Sequence, residues 1–277
     1  MKKIVSVLMA LSVITLTLAG CGGGAGSAAP VSSAPQEASG EEQHEAVTIM
    51  LAAAASLEDS FTRTLIPMFN AQHPWITVEG TYDSSGKLQT QIEEGLAADL
   101  FFSAATKQMT ALVESGMMDE GTVVKLLENE IVLIAPAGSD TAIDSFDKIG
   151  EAETIALGDP KSVPAGQYAQ ESLTSLGVWD AIQSKVSLGT NVTEVLNQVA
   201  EGSADVGIVY ATDAAQMPDK VKILAAAPEG SLEKKVVYPV GILAQAPQRE
   251  AAKLFMAFLQ SPQAIAVFVE NGFKSNI

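Results

Sequence analysis

Runs of β-compatible apolar residues alternate along this chain with segments whose apolar positions recur at helical spacing, and no other feature restricts the fold as much. Val47 to Ala55 is apolar and β-compatible, and from Ser56 onward Leu57, Phe61, Leu65 and Phe69 follow at steps of four. Ser56 and Asp59 stand at capping-box spacing with a shorter acid, which predicts Ser56 as a helix cap, and Pro74 marks the end of the helix. The unit then repeats. Ile76 to Tyr82 predicts a strand, and Asp83-Ser84-Ser85-Gly86 leads into Leu88, Ile92 and Leu96. Ala98 to Ser103 predicts a third buried strand, followed by a helix carrying Met109, Leu112 and Val113 that ends near Gly116. Alternation of this kind implies an α/β fold with mostly parallel sheets.

Two continuous apolar runs, Ile131 to Pro136 and Val236 to Leu243, read as the two crossings between lobes. Between them lie Thr154 to Leu157, helices after Pro164 and after Asn191, and the strand Val206 to Tyr210. Phe255, Phe258, Leu259 and the stretch Ala264 to Phe268 predict C-terminal helices, interrupted near Pro262, that pack back on the first lobe. The segment 46–277 exceeds a typical domain of roughly 100 to 150 residues. It suits two lobes: 46–129 joined with 236–277, and 130–235.

The N-terminus reads as an export signal. Lys2 and Lys3 precede an apolar run from Ile4 to Ala19, shorter than the roughly 20 residues a spanning helix needs, so 1–20 are expected to be a signal peptide. Leu18-Ala19-Gly20-Cys21 resembles the bacterial lipobox, which implies a lipid thioether on Cys21, the only cysteine, and an anchor on the outer face of the cytoplasmic membrane. Residues 21–45, rich in Gly, Ala, Ser and Pro, read as a tether.

Charge and residue supply exclude several functions. The formal net charge is −17 and Lys and Arg form no cluster, which argues against nucleic acid as a partner. Serine hydrolysis needs a general base near the nucleophile. The chain has two histidines, His44 in the expected tether and His73 as a solvated residue at a helix end. No Gly-x-Ser-x-Gly elbow, metal-ligand pair or complete phosphate loop is present, since Leu88 follows Ser85-Gly86-Lys87 where Ser or Thr is required. A non-enzymatic protein without a cofactor is expected.

Several strings in order resemble the molybdate-binding receptor family of ATP-binding-cassette importers across nearly the whole mature chain. They are Ala53-Ala54-Ala55-Ser56-Leu57, Ser84-Ser85 with Leu88, Ala98-Asp99-Leu100-Phe101, Gly158-Asp159-Pro160 with Val163-Pro164-Ala165-Gly166, Gly207-Ile208-Val209-Tyr210 with Thr212-Asp213-Ala214, and Tyr238-Pro239-Val240. The resemblance implies a two-lobed periplasmic-binding-protein fold of type II, with a mixed, mostly parallel sheet in each lobe and a two-stranded hinge. It also implies a monomer that binds molybdate or tungstate between the lobes and delivers it to a permease. By residue-for-residue correspondence it assigns the oxyanion to the hydroxyls of Ser56, Ser85 and Tyr210 and to backbone N–H groups of Ala165 and Val192.

Those assignments also make physical sense without the family. Ser56, Ser85, Ala165 and Val192 fall at predicted helix starts, where N–H groups lack partners and the dipole favours an anion. Four termini at about half a positive charge each balance a dianion. Each residue also has a plain structural reading, as a cap, a helix initiator or core filler. Asp83 and Lys87 depart from the family pattern, and each reads either as touching the anion or as facing solvent. Two other classes stay open: a receptor of the same fold for another solute, for which only Arg63 and Arg249 are available as carboxylate clamps, and a ligand-free adhesion module.

Overall fold

A computed structural model describes residues 44–277; the expected signal peptide, Cys21 and most of the expected tether lie outside the described residues. His44, assigned above to the tether, stacks on Trp75 with ring centroids 4.0 Å apart, so the folded body starts ahead of that boundary.

The first sheet begins with β1 (Val47–Ala54), which runs directly into helical backbone. That segment changes winding three times: a 3-10 turn (Ala55–Leu57), α1 (Glu58–Ser60), a π turn (Phe61–Leu65) and α2 (Ile66–Gln72). The sequence explains why. Apolar residues spaced by four over-rotate an α-helix of 3.6 residues per turn by about 40° at each step. A wider π turn winds back and keeps Leu57, Phe61, Leu65 and Phe69 on one face, and all four are fully buried. Pro67 lies just beyond the π turn; its ring has no N–H and crowds the carbonyl four residues earlier, that of Arg63.

The chain continues through β2 (Ile76–Asp83), α3 (Ser85–Glu93), β3 (Leu100–Phe102), α4 (Thr106–Glu114) and β4 (Val124–Asn129). It then enters the second sheet with β5 (Ile131–Pro136), β6 (Ile155–Gly158), α5 (Pro164–Ser175), α6 (Trp179–Ile182), β7 (Val186–Gly189), α7 (Val192–Ala200), β8 (Val206–Tyr210), α8 (Ala211–Gln216) and β9 (Val221–Ala226). It returns with β10 (Val236–Ile242), α9 (Arg249–Leu259), α10 (Pro262–Glu270) and β11 (Lys274–Ser275). The sheet orders are β11-β4-β10-β3-β1-β2 and β7-β6-β8-β5-β9. Pairing is parallel where strand–helix units succeed one another, in β2-β1-β3 and β7-β6-β8. It is antiparallel where β10 and β5 arrive from the other sheet.

This topology corrects the expected crossings. Ile131–Pro136 and Val236–Ile242 are interior strands of one sheet each, and the chain crosses just before them, at Glu130 and over 227–235. Their continuous apolar character reports burial between neighbouring strands and covering helices, not passage between sheets.

Aromatic side chains from three parts of the chain lock the first sheet to the C-terminal helices. Phe61 lies 6.0 Å from Phe102, 6.1 Å from Phe255 and 5.9 Å from Phe268, and Phe69 lies 4.8 Å from Phe255. Phe61→Ala would leave a cavity at the centre of this cluster and is expected to cost about 3 to 5 kcal/mol. The midpoint of a urea titration should fall with its slope unchanged.

Candidate functional site

Helix starts in both sheets supply donors that the helices cannot use, because the first N–H groups of a helix find no acceptor within it. Ser85 is the first residue of α3 and follows Ser84, whose extended backbone (φ −61°, ψ 140°) breaks strand from helix. Ala165 follows Pro164, whose fixed φ suits the first position of α5. Val192 opens α7 behind Asn191, whose side chain accepts from the Glu194 N–H at 2.9 Å. Ser56 lies inside the 3-10 turn after β1, and Tyr210 ends β8 and caps α8. All five residues are buried.

A chain of contacts links Ser56, Tyr210 and Ser85 across the two sheets. Ser56 Oγ lies 2.9 Å from Tyr238 Oη, and the ring of Tyr238 packs edge-on against Tyr210 at 5.5 Å. The Tyr210 hydroxyl donates to the Ala104 carbonyl at 3.4 Å, and the Ala104 N–H donates to Ser85 Oγ at 2.9 Å. Gly86 N donates to Ser162 O at 2.9 Å, which ties the start of α3 to the turn before Ala165. Helix α7, opened by Val192, packs against the 3-10 turn that carries Ser56.

The Ser85 and Ser56 hydroxyl protons remain available in this network. Ser85 Oγ accepts from Ala104, so its single proton is not consumed there. Asn129 Nδ2 donates to Tyr238 Oη at 3.3 Å, which lets Tyr238 pass its own proton to Ser56 and leaves the Ser56 proton to donate onward. Burial pushes the Tyr210 and Tyr238 phenols well above their ordinary range, so both remain protonated, with the Tyr210 proton directed at the Ala104 carbonyl. The group is therefore rich in donors and carries no formal charge.

Ser56 corrects the expected cap. Ala54 precedes the turn with no side chain capping it, and the Ser56 hydroxyl turns instead to Tyr238, 182 residues away in sequence. Asp59, the expected partner in the capping box, pairs with Arg63 at 3.2 Å. Lys87 and Asp83 pair with each other at 3.2 Å, and Asp83 also accepts the Ser84 N–H at 2.7 Å. His73, expected as a solvated helix end, packs between the rings of Phe69 and Trp75 at 4.7 and 5.2 Å.

Four residues that support the site were not singled out from the sequence: Asn129, Tyr238, Ala104 and Asp213. Asn129 is a buried polar residue at the end of β4, beside the first crossing, and it also donates to Thr212 Oγ1 at 2.9 Å. Asp213 accepts the Tyr210 N–H at 3.0 Å and is fully enclosed. Burial pushes its carboxyl up to about 7, against the opposing pull of that N–H. The folded protein thus holds a proton that the unfolded chain, with an ordinary Asp near 3.9, has released. Asp213 should make stability fall as pH rises from about 4 to about 7 and level off above, and Asp213→Asn should flatten that slope in thermal melts.

Glycine at position 86 is required by a close approach between the sheets. A Cβ there would stand 2.4 Å from the Ser162 carbonyl oxygen. Gly86→Ala should leave each sheet folded but hold the two apart, seen as a larger radius of gyration by small-angle scattering with an unchanged circular dichroism spectrum.

Comparison with known proteins bears on this geometry. The profile of the family described as "Bacterial extracellular solute-binding protein" matches residues 49–274. The chain is 40% identical over 237 residues to the Bacillus subtilis "Putative ABC transporter substrate-binding lipoprotein YvgL", covering 86% of this chain and 90% of that one. It is 38% identical over 231 residues to the Haemophilus influenzae "Molybdate-binding protein ModA", covering 80% and 88%. Among solved structures, the "substrate binding domain of putative molybdenum ABC transporter from Clostridium difficile" is 35% identical with a TM-score of 0.64, covering 83% of this chain and 99% of that one.

Proposed function

The chain belongs to the family of bacterial extracellular solute-binding proteins that serve ABC transporters, and on that premise we propose that its solute is molybdate, with tungstate as an alternative cargo. The observation that supports this reading is the uncharged hydrogen-bond network that joins Ser56, Ser85 and Tyr210 across the two sheets, with the helix starts at Ala165 and Val192 as further donors in the proposed site. A dianion leaving water needs its hydration replaced by N–H and O–H groups, and helix starts offer these together with a favourable dipole. The names of two relatives, a molybdate-binding protein and a molybdenum transporter domain, point the same way.

In this proposal the lobes are 46–129 with 236–277, and 130–235. Ser56 and Ser85 approach the anion from the first lobe, while Ala165, Val192 and Tyr210 approach from the second. Hinge closure at Glu130 and 227–235 buries the anion and presents the closed form to a permease. Processing at Cys21 anchors the receptor, as a monomer, to the outer face of the cytoplasmic membrane. A donor-only cage favours fully deprotonated oxyanions over hydrogen phosphate, whose proton would find no acceptor. Sulfate meets the same rule and differs in size.

Calorimetric titration with molybdate, tungstate, sulfate and phosphate in parallel tests the reading. Heat from molybdate and tungstate alone supports it, and binding of sulfate alone or of none overturns the named solute. Ser85→Ala and Tyr210→Phe should each weaken molybdate binding by about 1.5 to 3 kcal/mol, the range for a hydrogen bond to a charged group. Equal affinity in either variant removes that residue from the site.

A further inference from the structure

One contact between the lobes lies apart from the proposed anion cage and uses two amide side chains. Gln108, on α4 beside the first sheet, donates from Nε2 to Gln167 Oε1 on α5 beside the second, at 3.1 Å. Gln108 is almost wholly enclosed, at 2% exposure. The remaining polar atom of each side chain, Gln108 Oε1 and Gln167 Nε2, is buried with no hydrogen-bond partner. Two groups that water would solvate if the lobes parted are therefore stripped of water for one neutral bond. Solvent is close at hand, since Gln167 lines a cavity whose wall is built by Ala105, Thr106 and Lys107 from one lobe and by Gln167 and Tyr168 from the other.

We infer that Gln108 and Gln167 form a deliberately weak interlobe latch that sets how long the receptor stays closed over its solute. A tight latch would trap the cargo, and no latch would shorten its stay. This pair sits between those extremes, because the bond it makes is offset by a donor and an acceptor that closure leaves unsatisfied. The other direct contacts between the lobes are of different kinds. Gly86 to Ser162 is backbone to backbone, Tyr210 to Ala104 belongs to the proposed cage, Tyr168 meets the backbone of Val237, Asn129 to Thr212 lies beside the first crossing, and Asn191 to Asp83 and Lys235 to Glu128 each engage a carboxylate. Gln108 and Gln167 are positioning residues, acting on the lobes and not on the anion. The inference rests on the proposal that the lobes close over a ligand.

The chemistry dictates an unusual mutational pattern. Replacing one glutamine by methionine, similar in length but apolar, deletes the bond and strands the surviving amide, so the closed state loses ground. Replacing both removes the bond together with every unsatisfied group, and a closed state at least as populated as the wild type is expected.

Hydrogen exchange of the Gly86 amide reads closure directly, because its acceptor is Ser162 across the cleft. It should be followed in the full chain with and without molybdate, for the wild type, Gln108→Met, Gln167→Met and the double variant, beside the molybdate release rate. Each single variant should lower Gly86 protection and speed release by about tenfold. The double variant should recover both, and all four should melt at similar temperatures. Equal Gly86 protection in all four proteins under both conditions overturns the latch, as does a double variant worse than either single one. The expected exchange pattern in a protein that releases no heat with any oxyanion keeps the latch and rejects the solute instead.

Discussion

Backbone N–H groups left over at the starts of helices are what the proposed binding cleft depends on. An α-helix satisfies its interior and leaves its first donors unpaired, and α3, α5 and α7 each offer such a start after a strand. The sequence fixes each start by a different device: an extended Ser84, a proline at position 164 and a capping asparagine at 191. Because the donors are main-chain atoms, the residues that carry them are as bland as Ala165 and Val192. The hydroxyls of Ser56, Ser85 and Tyr210 then add direction to a field the backbone already supplies.

That arrangement reconciles an acidic protein with the proposed anion site. Surface carboxylates act through solvent, where charges are screened over about 8 Å at physiological salt. The nearest acid in the α3 turn, Asp83, is engaged by Lys87 and by the Ser84 N–H. Asp213, next to the Tyr210 N–H, has its carboxyl pushed up to about 7 by burial, so it is neutral at acidic pH and about half ionised at neutral pH. No cationic side chain is needed, and none of the five proposed contacts is one.

Local pattern made the strand–helix units legible, because periodicity is a property of neighbouring residues. Leu57, Phe61, Leu65 and Phe69 announced a buried helix face, and their spacing of four already contained the π turn, although only the position of Pro67 explains where the winding changes. Strand β4 was not foreseen, since Lys125 and Glu128 interrupt its apolar pattern at a sheet position open on one face. The cap assigned to Ser56 failed for a different reason: its hydroxyl answers to Tyr238, which no local rule can see. Tyr238 itself was in view as part of a recognisable string, yet its role appears only when β10 returns from the other sheet to lie beside β3. Convergence of distant residues is set by topology, and a single sequence reveals it only through resemblance.

The order of strands carries a mechanical consequence. The described chain enters through β1 and leaves through β11, and both belong to the first sheet, whereas the second sheet is an excursion between β4 and β10. A pull on either end is therefore borne by one sheet alone and transmits no torque to the two crossings. In the proposed closure the second sheet swings as an unloaded flap on a fixed base, and the work of opening is set by the contacts across the cleft and not by whatever holds the protein in place.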